Sequence, residues 1–335
     1  VNDAISTPEI ESGKSSDLQG LVEHFFASRF STDNAIVTEA VKRMLSAGGK
    51  RIRPRLTLLA SAACGGRAAE HLPLAAYMEL IHVATLVHDD VVDNASTRRG
   101  VNATAVDYGN RVSVLAGDYL FAWIFKNVTA GYPHPIPHVL SATLADICDG
   151  EVLQLQALGN LSLRPEEYVE IARKKTASLF AASARCGAVA TGAPQAQISA
   201  LADFGEYYGI AFQMRDDVLD MIADERSLGK PVGNDLAERK ITIPLIDALA
   251  TGDGDFRAVV ERFYQTGDAS SIPAILTGVR RFGIDVTQRR IAGYVQKARA
   301  ALEPLAPGPA KHELSNLADA LAGAPAESNG QRRTS

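Results

Sequence analysis

The feature that most constrains this chain is a set of long segments that are apolar around nearly the whole turn of a helix. Tyr77, Leu80, Ile81, Ala84, Leu86 and Val87 leave almost no polar face between them. Such a segment predicts a helix buried on all sides. The same pattern covers much of Val114–Phe125, Val139–Leu158, Tyr168–Val189 and Ile198–Ile222. Pro135, Pro137, Pro165 and Pro194 fall between these segments, where helices should stop. Earlier, Leu21, Phe25 and Phe26 share one helical face, and Leu45 closes the next helix before Gly48-Gly49. Alternating strand patterns with hairpin turns are scarce, and no glycine-rich strand–turn–helix appears. The expectation is an all-α chain of about ten long helices around one core. That single domain spans residues 18–322, between polar tails at 1–17 and 323–335.

The balance of 34 Lys and Arg against 39 Asp and Glu gives a formal charge of −5. A general nucleic-acid binder would show a basic surplus instead. Cys64, Cys148 and Cys186 share no metal-ligand spacing, so neither a disulfide framework nor a zinc site is expected. The most apolar stretch, residues 71–87, is interrupted by Pro73, Glu79 and His82. It falls short of the about 18 uninterrupted apolar residues of a membrane span. The first 17 residues are polar and lack the apolar segment of a secretory signal, so a cytoplasmic location is expected.

Two acidic segments stand apart: Asp89-Asp90-Val91-Val92-Asp93 and Asp216-Asp217-Val218-Leu219-Asp220. Both read DDVxD. At helical spacing Asp89 and Asp93 share one face, as do Asp216 and Asp220. Each motif continues a helix too apolar to lie on the surface. Several like charges in a partly buried site destabilise a fold unless cations compensate. No His or Cys cluster accompanies them, so a hard, oxygen-liganded ion is indicated. Mg²⁺ fits, because it takes one or two carboxylates together with waters and substrate phosphates. Two such motifs suggest a metal clamp with a polyphosphate between them.

Basic groups supply the counterpart. Lys50-Arg51-Ile52-Arg53-Pro54-Arg55 follows a Gly-Gly break, Arg98-Arg99 follows the first acidic motif, and Lys174-Lys175-Thr176 interrupts an apolar helix. The loop 229–235 carries Lys230 among Gly and Pro residues, and Arg239-Lys240 comes next. Cations at a helix start oppose its dipole, an objection that a bound anion removes. Together these groups carry more positive charge than one diphosphate needs, which points to two anionic substrates.

With these pieces in order, the chain resembles the trans-isoprenyl (polyprenyl) diphosphate synthases. The matching segments are GGKRIRP (48–54), IHVATLVHDDVVD (81–93), RRG (98–100), GDYL (117–120), GE (150–151), KT (175–176), FQMRDDVLD (212–220) and GKPVGND (229–235). The resemblance implies an isoprenoid-synthase-type helical bundle around a central apolar cavity, working as a homodimer. It implies head-to-tail, 1′–4 condensation of isopentenyl diphosphate with an allylic diphosphate, farnesyl or geranylgeranyl diphosphate for a long-chain enzyme. Carried over by motif, Asp89, Asp93 and Asp216 would bind three Mg²⁺ ions with the allylic diphosphate, supported by Asp90, Asp217 and Asp220. Arg98, Lys175, Lys230 and Lys240 would touch that diphosphate. Lys50, Arg53, His82 and Arg99 would hold isopentenyl diphosphate. Thr176 and Gln213 would face the developing carbocation. His88 receives no role from the resemblance and is expected to be structural.

The growing product should run along the first aspartate helix toward its N-terminus, past Thr85, Ala84, Ile81 and Met78. In the family, a bulky aromatic four or five residues before the first aspartate closes the pocket early; here those positions are Thr85 and Ala84. Five residues lie about 7.5 Å down the helix, and nothing large stands at that depth. The expectation is a long-chain enzyme, with a product of about C30–C50 by family analogy. The segment IHVATLVHDDVVD looks most like the octaprenyl, solanesyl and heptaprenyl group. The alternative is a geranylgeranyl diphosphate synthase. A terpene cyclase would not need GGKRIRP or a second DDxxD, and a non-catalytic subunit of a heteromeric synthase would be expected to lose aspartates.

Overall fold

In a computed structural model of the chain, residues 15–30, 32–46, 49–98, 101–222 and 233–323 are described. Among them the structure is helical, apart from a two-stranded antiparallel ribbon of β1 (Thr97–Arg98) and β2 (Val101–Asn102). The described residues fall into two compact units. One holds residues up to 148, with 178–206 and 301–313; the other holds 149–177, 207–300 and residues from 314 on.

The first unit begins with α1 (Ser15–Arg29), α2 (Ala35–Ser46) and α3 (Ile52–Ala63). Helix α1 starts inside the stretch read as polar tail, at Ser15. Helix α4 (Leu72–Val92) carries the first DDVxD motif at its C-terminal end. Leu74, Met78, Leu80, Ile81 and Ala84 of α4 are fully buried, as the all-round apolar pattern requires. They pack with Phe26, Met44, Leu120, Ile124, Leu140 and Leu179 in one core. Helix α5 (Thr104–Gly131) lies along α4. The fit is close at one point: a Cβ on Gly117 would meet His88 Nε2 at 2.3 Å. There His88 Nε2 donates to the Val114 carbonyl at 3.1 Å, so its role is to tie the end of α4 to α5.

Helix α6 (Ile136–Gln156) follows α5, and α7 (Pro165–Ala172) leads into a five-residue π-helical segment, Arg173–Ala177. Beyond it come α8 (Ser178–Ala190) and α9 (Gln195–Ile222), which carries the second DDVxD motif. Within the second unit, α10 (Asn234–Ala237), α11 (Ile243–Thr251), α12 (Gly254–Thr266), α13 (Ile272–Phe282) and α14 (Ile284–Ala301) follow, then α15 (Pro309–Ala322). Buried Asp247 on α11 accepts from Thr287 Oγ1 at 2.9 Å and from Arg290 Nε at 3.0 Å, which fixes α11 against α14.

The expectation of burial is too broad in two helices. Val114, Leu115 and Tyr119 on α5 are exposed, as are Val152 and Leu155 on α6. Apolar periodicity reports that a face avoids water; it does not say that the same chain supplies the cover.

Candidate active site

Each acidic motif is divided by its environment. In the first, Asp90 is buried while Asp89 and Asp93 are half-buried. Arg98, on β1, closes on Asp90: Nε donates to Oδ1 at 2.7 Å, and Nη2 lies against the same oxygen. Burial pushes the Asp90 carboxyl above the usual carboxylate range, against the pull of Arg98. Arg98, expected on a diphosphate, thus holds an aspartate of its own motif. In the second motif Asp217 and Asp220 are buried and Asp216 is exposed. Asp220 Oδ2 accepts from the backbone N–H of Asp235 at 3.1 Å, which ties the motif to the start of α10.

Asp217 is the hub of a hydrogen-bonded relay. The Tyr168 hydroxyl donates to its Oδ2 at 2.5 Å, and Gln213 Nε2 donates to its Oδ1 at 2.8 Å. Gln213 Oε1 in turn accepts from Thr176 Oγ1 at 2.8 Å. Burial, and next the negative charge of Asp235, push the Asp217 carboxyl well above the usual range. Burial, and next the charge of Asp217, hold the Tyr168 proton well above the usual phenol range. The relay lines a cavity of about 110 Å³, whose wall also includes Lys175, Asp235, Lys240 and Thr242.

Lys175 and Thr176 reach this cavity from the π-helical segment, a widened turn of a kind frequent at functional sites. Lys175 Nζ pairs with Glu151 and donates to Gln154 Oε1 at 2.5 Å. Lys240 Nζ lies 2.5 Å from Glu238 Oε2. The cationic side chains are therefore held by carboxylate or amide oxygens, poised rather than loose.

The basic run before α3 separates by function. Arg51 adopts a left-handed backbone (φ 47°) and is 1% exposed. Its guanidinium donates to Glu79 Oε1 at 2.7 Å and to the Leu45 carbonyl at 2.8 Å. Arg55 pairs with Glu313 at 2.7 Å. These two cations are structural. Lys50 is exposed, and the half-buried Arg53 lies with its guanidinium carbon 4.4 Å from the centre of the Phe180 ring. His82 is half-buried on α4. Arg99 and Lys230 lie outside the described residues.

The four residues expected along the product path do not share one environment. Met78, Ile81 and Ala84 are fully buried in the core of the first unit. Thr85 is half-buried, with its hydroxyl donated to the His82 carbonyl at 2.8 Å. At 100° per residue Thr85, His82 and Asp89 lie on one face of α4, and Ala84 lies about 140° from Asp89.

Tyr168, Glu151 and Gln154 were not assigned roles by sequence reasoning. Glu151 has a signal in the GE pair at 150–151. Tyr168 has none, since it stands far from Asp217 in the chain. Among the described residues no three His, Cys, Asp or Glu side chains form a ready metal cage. Mg²⁺ does not need one, since it is held by one or two carboxylates with waters and phosphates. The donors of each motif fit it: the oxygens are hard, and Asp89 and Asp93 in the first motif and Asp216 in the second are the less buried members. No helix among the described residues is long and apolar enough to cross a membrane.

The fold is all-α, each unit carries one DDVxD motif, and the cavity of the second unit is lined by Lys175 and Lys240. The comparisons sharpen this. Residues 34–277 match the family model described as polyprenyl synthetase. The short chain isoprenyl diphosphate synthase of Methanothermobacter thermautotrophicus is 37% identical over 84% of this chain and 88% of its own. The octaprenyl diphosphate synthase of Escherichia coli is 35% identical over 87% of this chain and 90% of its own. The crystal structure of a decaprenyl diphosphate synthase from Rhodobacter capsulatus superposes with a TM-score of 0.86 at 36% identity, covering 95% of this chain and 98% of that one. The chain belongs to the polyprenyl synthetase family. Its relatives are prenyltransferases with the all-α isoprenoid synthase fold. The family uses isopentenyl and allylic diphosphates and is Mg²⁺-dependent in general.

Proposed function

We propose that this chain is an all-trans polyprenyl diphosphate synthase that extends an allylic diphosphate primer, farnesyl or geranylgeranyl, to a product of about C30–C50 by family analogy. The observation that carries the reading is the division of both motifs: Asp90 and Asp217 are buried and held by the protein, while Asp89, Asp93 and Asp216 are left nearer to solvent. That arrangement suits carboxylates fixed in position for hard cations. Magnesium, three ions expected when substrate is bound, would supply positive charge that offsets the departing diphosphate.

The residues of the chain do the rest. Asp89, Asp93 and Asp216 would hold the ions, with Asp90, Asp217 and Asp220 in support. Lys175, Lys230, Lys240 and Arg98 bind the allylic diphosphate, and Lys50, Arg53, His82 and Arg99 bind isopentenyl diphosphate. The allylic C1–O bond breaks with its electron pair leaving on diphosphate. C4 of the isopentenyl unit bonds to C1, and the departing diphosphate takes the C2 proton as the new double bond forms. Thr176 and Gln213 face the positive charge that develops between these events. Apolar surroundings keep out water that would quench it. The exposed row Val114, Leu115 and Tyr119 on α5 supports assembly as a homodimer. We read residues 18–322 as one synthase domain, working in the cytoplasm.

A shorter product is the second reading, as a geranylgeranyl diphosphate synthase. It is favoured by the short-chain name of the Methanothermobacter relative. One experiment separates the readings. The purified chain is incubated with Mg²⁺, farnesyl diphosphate and excess isopentenyl diphosphate, and products are measured by mass spectrometry. Products of C30 or longer support the first reading, and accumulation at C20 the second. No turnover by the chain alone, with activity regained on adding a second subunit, would make it one component of a heteromeric synthase.

A further inference from the structure

The relay through Asp217 has a direction: both Asp217 oxygens accept, one from Tyr168 and one from Gln213, and the rest follows from donor and acceptor chemistry. A tyrosine hydroxyl has one proton, an amide has distinct donor and acceptor ends, and a threonine hydroxyl has one proton with two lone pairs. Asp217 Oδ1 accepts from the NH₂ end of Gln213. The carbonyl end of Gln213 therefore faces Thr176, and the Thr176 proton is spent on it. What Thr176 has left for the cavity is lone pairs. Had the amide pointed the other way, Thr176 could present its proton, which a carbocation repels. The amide is pinned because Asp217 is pinned, and Asp217 is pinned by the Tyr168 hydroxyl on its other oxygen. Tyr168 is 5% exposed and Asp217 is 3% exposed, so water does not compete for either.

We propose that Tyr168 is a positioning residue of the condensation: by anchoring Asp217 it fixes the Gln213 amide and so turns the Thr176 oxygen, rather than its proton, toward the reacting centre. The inference rests on the prenyl-transfer reading above. Tyr168 touches no reacting atom. Its effect passes through two hydrogen bonds and ends in the sign of one dipole.

The test compares wild type, Tyr168→Phe and Thr176→Val. Steady-state kinetics are measured with farnesyl and isopentenyl diphosphates. Calorimetry is run with two probes: an allylic diphosphate analogue carrying a protonated nitrogen where positive charge develops, and a thiolo-diphosphate of the same chain, which carries no positive charge there. Tyr168→Phe is expected to lower kcat about tenfold, the loss that one misdirected hydrogen bond carries, with both KM values unchanged. Its affinity for the ammonium probe should fall by a similar factor while the thiolo-diphosphate binds as before. Thr176→Val, at a half-buried site, should show the same selective loss. Equal losses for both probes would mean that Tyr168 only supports the fold, and would overturn the proposal. So would Thr176→Val binding both probes as wild type does, even if Tyr168→Phe fails to fold. A wild-type chain that neither turns over nor binds either probe would instead remove the prenyl-transfer reading itself.

Discussion

The backbone nitrogen of Lys175 lies so near Gly150 that a Cβ at position 150 would stand 2.4 Å from it. Helix α6 and the π-helical segment thus meet backbone to side-chain-free backbone. Gly150→Ala must push the segment that carries Lys175 and Thr176. We expect about 1–3 kcal/mol of lost stability from overpacking, and a fall in kcat. An alanine variant with wild-type melting temperature and turnover would show that the contact is slack.

The divided motifs predict a divided response. Asp89→Ala and Asp216→Ala should each lose about 10²-fold or more in kcat at saturating Mg²⁺, since a bound ion contributes several kcal/mol at the transition state. Exposed Asp216 should lose less in melting temperature than buried Asp217. Asp217→Ala should also lose stability, about 1–3 kcal/mol for each group left unpaired, because Tyr168 and Gln213 lose a buried acceptor. Thermal unfolding in parallel with kinetics checks both halves.

Lys50→Ala and Arg53→Ala should raise KM for isopentenyl diphosphate, by the about 1.5–3 kcal/mol of a hydrogen bond to a charged group. Arg53→Ala also removes the contact with the Phe180 ring. Lys230→Ala should act on the allylic substrate. Initial rates with each substrate varied in turn decide the assignment, and a Lys50→Ala effect confined to the allylic KM would reverse it.

For product length, Thr85 is the better position to fill. It shares the Asp89 face of α4 and is half-buried, whereas Ala84 is fully enclosed by core. Thr85→Phe should shorten the products while the enzyme stays folded. Ala84→Phe should cost about 1–3 kcal/mol through overpacking. Mass spectrometry of the products and a melting curve for each variant read out the pair, and unshortened products from folded Thr85→Phe would end the reading of this face as the product path.

Glu79→Ala should also be strongly destabilising. It leaves the Arg51 guanidinium buried without its 2.7 Å partner, and breaking a buried pair from one side costs about 3–5 kcal/mol. Denaturant unfolding measures it. A loss below about 1 kcal/mol would mean that Glu23, 3.5 Å away, takes over as partner.

Much of this was legible in the residues and some was not, for definite reasons. The course of α4 is written in its all-round apolar pattern, and the DDVxD motifs declare themselves by spacing. Which aspartate of each motif is buried could not be read, because Asp89 and Asp90 are chemically identical and differ only in the neighbours they meet. Arg51 looked like one more cation of a ligand-binding run; its partner, Glu79, lies on another helix, and a pair so separated leaves no local trace. Tyr168 was hidden in the same way. The exposed rows on α5 and α6 were read as core because a pattern of apolar residues is the same whether the cover is the chain itself or something else.

That row on α5 has a practical meaning. If Val114, Leu115 and Tyr119 are covered by a second copy, the cover is subject to mass action. Dilution then uncovers α5, the helix that His88 fastens to the end of α4, next to Asp89. Protein concentration would then be a variable of the enzyme in its own right, and rates per molecule measured at high dilution would describe a different species from those measured on concentrated stock.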